Sequence, residues 1–165
     1  MKTFNELVKG DRMLSNKEAK HILDMDPAFK SEFMQAICSY LFYNIEAYAD
    51  IEYWESYEPP VPNHRRERCI ITTFDGESFY CGDAEVKLES IRLILRPMDT
   101  ITDEEAKELS ELLNYEFYVD QDGALCAEDD RHRISVELMY PYINWLNKHH
   151  FDYMGLIEKG FAIAE

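Results

Sequence analysis

The sequence predicts an α+β fold, in which an N-terminal helical part precedes a small antiparallel sheet packed by helices. Three observations carry that expectation. Two capping boxes, Ser15 with Glu18 and Thr102 with Glu105, mark helix starts. An apolar stripe at helical spacing runs through Phe33, Ile37, Leu41, Ile45 and Tyr48. Beyond Pro59-Pro60-Val61-Pro62 the apolar period changes from helical to two.

Taken in order, the Ser15 box opens a short helix over Lys17–Met25. Asp26-Pro27 supplies a cap and a first-turn proline for a longer second helix carrying the stripe. The proline run and Asn63-His64-Arg65-Arg66 read as a linker. Cys69–Phe74, Asp75-Gly76 and Glu77–Cys81 form a hairpin pattern, because Asp-Gly tolerates the positive φ of a tight turn. A strand is expected over Ser90–Arg96 and stops at Pro97. The Thr102 box starts a helix over Asp103–Asn114 with Ala106, Leu109 and Leu113 inward. Tyr115–Val119 and Ala124–Ala127 flank Asp122-Gly123 as a second hairpin. Helices over Pro141–His149 and from Asp152 to Gly160 close the chain. The expected division is a helical part over 1–62, a linker over 63–68 and an α+β domain over 69–165.

The 165 residues hold 17 Lys+Arg against 33 Asp+Glu, a net charge of −16. Such a chain is repelled by bare nucleic acid and by anionic membranes, so neither is expected as a direct partner. The charge is concentrated. Residues 31–64 have six acids and no Lys or Arg, and residues 97–130 have twelve acids against Lys107 alone. The other blocks are nearly neutral. The opening residues lack the apolar core and small-residue cleavage site of a signal peptide, and no stretch approaches a membrane span. The expected location is therefore the cytoplasm. Cys38, Cys69, Cys81 and Cys126 show no CxxC spacing and read as reduced core thiols.

Two stretches carry a resemblance. They are Ile94-Leu95-Arg96-Pro97-Met98 with the acidic helix start through Glu105, and the C-terminal run His149-His150-Phe151-Asp152-Tyr153-Met154-Gly155-Leu156-Ile157-Glu158-Lys159-Gly160. Over residues 69–165 the chain resembles a recurring type of small uncharacterised phage and prophage protein. In that type an ILRPL-like strand end precedes an acidic helix, and an FDxxGLIEKGLA-like helix closes the domain. Met98 and Phe161-Ala162-Ile163 depart conservatively from the pattern. The resemblance implies a mobile-element origin and a host-cell cytoplasmic setting, but no activity.

No motif names a reaction. There is no GxSxG, Walker loop or GxGxxG, so catalytic, cofactor and metal residues are expected to be none. Asp120-Gln121-Asp122-Gly123 lacks the ligands of a calcium loop at Tyr118 and Asp129. Arg65, Arg66 and Arg68 are a poor nucleic-acid footprint in so acidic a chain. His149, His150 and Asp152, with acids near Asp120, are the best set for a metal-assisted hydrolase, the alternative reading. A self-associating structural or regulatory protein, a homodimer, is a third.

The acidic blocks lead. Glu46, Asp50, Glu52, Glu55 and Glu58 interleave with Tyr53, Trp54 and Tyr57, with no base in the same segment. Glu104, Glu108 and Glu111 share one helix face, where like charges cost stability. Carboxylates repeated along a face suit a cationic groove, and aromatics beside them suit an interface core. The leading expectation is a non-enzymatic interaction protein that binds a basic bacterial protein. Its most concrete form is an inhibitor of a CRISPR-type, nucleic-acid-binding defence protein, presenting carboxylates in place of phosphates.

Overall fold

Both capping boxes form as read. In the computed structural model, which describes residues 13–54, 62–127 and 136–165, helix α1 (Asn16–Met25) begins where the Ser15 hydroxyl and Glu18 carboxylate cap each other's amides. Helix α2 (Pro27–Tyr40) follows directly, its first turn held by the Asp26 carboxylate accepting from the Phe29 amide. The architecture is α+β: among the described residues there are four α-helices and a mixed, curled sheet, with the N-terminal helices preceding the sheet.

The long helix is shorter than its stripe. It ends at Tyr40, a 3₁₀ turn covers Leu41–Tyr43, and Asn44 takes a left-handed conformation at φ 55°. Asn tolerates that conformation better than most residues. Ile45 and Tyr48 therefore leave the predicted helix, and Glu46–Trp54 is strand β1. The strand period is visible in its burial. Ala47, Ala49 and Ile51 are buried, while Glu46, Tyr48 and Asp50 are half-buried on the other face.

The expected linker is also strand. Pro62–Ile70 forms β2, paired antiparallel with β1 from Glu46↔Ile70 to Trp54↔Pro62. The helical part over 1–62 and the linker over 63–68 thus give way to a long two-stranded ribbon. Local reading saw basic residues after a proline run; the nine-residue ladder that orders them is non-local.

The predicted first hairpin forms as β3 (Thr73–Phe74) and β4 (Phe79–Cys81), with Asp75 accepting the Glu77 and Ser78 amides across the turn. Strand β5 (Ala84–Val86) then pairs with β4 and, at Val86↔Ile51, with β1. Strand β6 (Arg92–Leu95) pairs with β1 at Ala47↔Leu93. Strand β1 thus has β2 on one side and both β5 and β6 on the other, and β6 also adjoins β9 (Ala162–Ala164). Every residue of β6 is buried, as in a strand covered on both faces.

Helix α3 (Asp103–Leu113) starts at the Thr102 box and buries Ala106, Leu109 and Leu113 as expected. The second hairpin is β7 (Phe117–Val119) with β8 (Leu125–Ala127). Its turn glycine, Gly123, has φ +82°, and an added Cβ would lie 3.0 Å from the Asp99 carbonyl oxygen. Helix α4 (Val136–Lys148) contains Pro141 within it. The expected last helix does not form: residues 152–160 are a series of turns, with Gly155 and Gly160 at positive φ, before β9.

By packing, the chain divides into two compact units that differ from the division read in the sequence. The first is Met1–Ile94 with Met154–Ala164; the second is Leu95–Tyr153 with Glu165. The first has a ring cluster in its core, Phe29, Phe33 and Phe161, with Phe161 4.8–5.0 Å from the other two. The second is centred on Ile101, Leu109, Leu113, Phe117, Trp145, Leu146 and Phe151. Among the described residues no helix is long and apolar enough to cross a membrane.

Candidate acidic interface

In the second unit, helix α3 carries its acids on two different sides. Glu105 is a cap residue and a clamp. Its carboxylate accepts from the Thr102 amide and takes both terminal nitrogens of Arg96, at 2.6 and 3.0 Å. That forked, charge-assisted pair holds the Glu105 carboxyl down to about 2. The Arg96 guanidinium also lies over the Phe151 ring, 4.4 Å from its centre.

Glu108 is exposed but engaged. It accepts from the Trp145 indole at 3.2 Å and faces Lys148 at 3.5 Å and His149 Nε2 at 3.4 Å. Partial burial pushes its carboxyl up, but the charge of His149 and hydrogen bonds from His149 and Trp145 outweigh that and lower it. Glu104 and Glu111, by contrast, are exposed with no hydrogen bond or ion pair among the described residues. The predicted triad on one face is therefore two outward carboxylates flanking one that is tied to α4. Leu112, next to Glu111, is also exposed.

The other predicted acidic segment is different. Glu46 forms an ion pair with Arg68, and Asp50 bonds to the Asn16 amide and lies 3.6 Å from Arg66. The bases absent from residues 31–64 are delivered to Glu46 and Asp50 by the facing strand. Of Glu52, Tyr53 and Trp54 the structure describes the backbone in β1, and Glu55, Tyr57 and Glu58 lie outside the described residues.

The alternative hydrolase set does not assemble. His149 sits between Glu105 Oε1, 3.6 Å from Nδ1, and Glu108, with its ring 4.4 Å from the Trp145 ring. His150 has a left-handed backbone at φ 57°, and its carbonyl accepts the Arg96 amide. Asp152 is buried and donates its amide to the Arg96 carbonyl. Among the described residues no three His, Cys, Asp or Glu side chains come together as a metal site. Asp120 is a turn residue whose carboxylate accepts the Asp122 and Ala124 amides.

The four cysteines are thiols, each half-buried rather than fully in the core as expected. Burial and a hydrogen bond with Cys81 push the Cys69 thiol up to about 12, which leaves it un-ionised at neutral pH and poorly nucleophilic.

Sequence reasoning missed Arg96 and Trp145 as partners of the acidic helix. The signal for Arg96 was present, since it stands nine residues before the capping Glu105 in the Ile94–Glu105 stretch. That stretch and the C-terminal run also meet in space: Arg96 bridges to Phe151 in a parallel pair. No protein-family model, no curated protein and no solved structure matches this chain.

Proposed function

We propose that the protein is a non-enzymatic binding protein whose helix α3 engages a basic partner through Glu104 and Glu111. The observation that carries this is their exposure without a partner among the described residues, on a helix whose other inner-turn acids, Glu105 and Glu108, are anchored. Seven residues of helix separate the two carboxylates, about 10 Å along the axis. Anchored neighbours hold the helix while the outward charges are available, and a negative face over two turns speeds encounter with a cationic groove. The partner class is a nucleic-acid-binding protein, since its phosphate site is cationic and accessible. The likeness of residues 69–165 to phage and prophage proteins supports a bacterial defence protein as that target, met in the host cytoplasm. The mechanism is competition: carboxylates hold the surface that nucleic acid would use.

The test is a pull-down from bacterial lysate, followed by surface plasmon resonance of the recovered partner at 0.1 and 0.5 M salt. A variant with Glu104→Gln and Glu111→Gln should associate several-fold more slowly and lose most of the salt dependence. Binding that is independent of salt and unchanged by the double substitution would sink the reading. Glu108 is left intact, because its loss would also cut the bonds to Trp145 and His149.

A further inference from the structure

A cleft of about 350 Å³ opens in the first unit between α1, β1 and the segment after β5. Its walls are Asn16, Lys17 and Lys20 from α1, Asp50 from β1, and Glu85, Lys87, Glu89 and Ser90. In a chain with 33 acids and 17 bases, three lysines around one cleft are unusual.

Two of the three carboxylates there face a base, and the third, Glu85, keeps its charge. Asp50 is held by Asn16 and Arg66, Glu85 accepts from the Ser78 hydroxyl at 2.7 Å, and Glu89 faces Lys20 at 4.0 Å. Lys17 and Lys87 have no ion-pair partner among the described residues, though both line the cleft. The wall between them is fixed. Arg66 donates to the Ser90 carbonyl and to the Asn16 side chain, and the Ser90 hydroxyl accepts the Asp50 amide. Lys17 also lies in the first turn of a ten-residue helix, whose positive end adds to its charge.

From this cleft we infer a second function, the binding of a small anion bearing phosphate or carboxylate groups between Lys17 and Lys87. The volume lies within the range of ligand pockets, and the polar wall supplies orientation through Asn16 and Ser90. Two unpaired ammonium groups across a polar cleft gain Coulomb energy from such a guest without breaking an existing ion pair. The site is independent of the α3 face and acts on a different chemical class.

Isothermal titration calorimetry of the full chain in chloride buffer tests it, with pyrophosphate and citrate as separate probes. Saturable one-site binding of either is expected, and the tighter probe identifies phosphate or carboxylate as the recognised group. A variant with Lys17→Gln and Lys87→Gln should weaken that binding at least tenfold, while Lys148→Gln in the other unit should leave it unchanged. Both lysines are exposed, so circular dichroism should show the double variant folded. No saturable heat with either probe, or equal affinity in the folded double variant, would overturn the proposal.

Discussion

The two units meet the same problem, an excess of carboxylates, in opposite ways. In the first unit Glu46 and Asp50 of β1 meet Arg68 and Arg66 of β2, so two acids of a block without Lys or Arg along the chain find bases across the ladder. In the second unit Arg96 and Lys148 pair with Glu105 and Glu108 and His149 contacts both, while Glu104 and Glu111 have no partner among the described residues. A run of acids is therefore a candidate interface only after tertiary pairing has removed the compensated ones.

Two arginines near β6 sharpen the contrast. Arg92 is fully buried with no carboxylate in hydrogen-bond contact among the described residues; it donates to the carbonyls of Leu14, Glu89 and Ile91 and stands 5.6 Å from the Phe161 ring. Desolvation lowers its guanidinium to about 10, and the nearby Arg66 charge adds to that. Its Nε has no hydrogen-bond partner among the described residues. Arg96, four residues on, is half-exposed and forked onto Glu105. One arginine staples backbone, the other staples a helix cap.

The largest expected effect breaks the first staple. Arg92→Ala should cost about 3–5 kcal/mol, because it strands three carbonyls, two of the bonds being fully buried, and opens a void. Arg92→Lys should recover only part, since one ammonium cannot span the same acceptors. Urea unfolding followed by circular dichroism measures both, and a loss under about 1 kcal/mol for Arg92→Ala would contradict the staple.

Next comes Glu105→Gln, at about 2 kcal/mol for the lost charged fork. Its pH signature is specific. Because the folded carboxyl lies near 2 against 4.5 ordinarily, its contribution is complete above about 4.5 and is lost as pH falls toward 2. The variant should lack that part of the acid slope. In a Trp54→Phe background, Trp145 fluorescence reports the second unit alone; an unchanged slope there would refute the clamp.

Gly123→Ala follows, at about 1–2 kcal/mol, since the turn needs positive φ and the new Cβ would crowd the Asp99 carbonyl. A thermal melt equal to wild type would show that the turn can shift. The smallest effect is Glu46→Gln. Its pair with Arg68 is exposed, so the loss should stay below about 1 kcal/mol and vanish in high salt. A larger, salt-resistant loss would mean that the β1–β2 ribbon depends on that pair.

The sequence by itself determined what is encoded over a few residues. Ser15/Glu18 and Thr102/Glu105 start helices because hydroxyl and carboxylate reach amides three residues away, and Asp75-Gly76 turns because its own carboxylate and missing side chain suffice. The inward face of α3 followed from its period alone. Only the tertiary structure decided the rest. Ile45 and Tyr48 fit a helical stripe as well as a strand, and the left-handed Asn44 together with the nine-pair ladder to β2 chose the strand. The free energy of that choice lies in hydrogen bonds to residues 62–70, which no local window contains. The exposed pair Glu104 and Glu111 is likewise told apart from Glu108 only by Trp145 and Lys148 of α4 and His149 just after it, which arrive from some forty residues downstream. Charge counts are additive along a chain, whereas ion pairing depends on which side chains folding brings within reach.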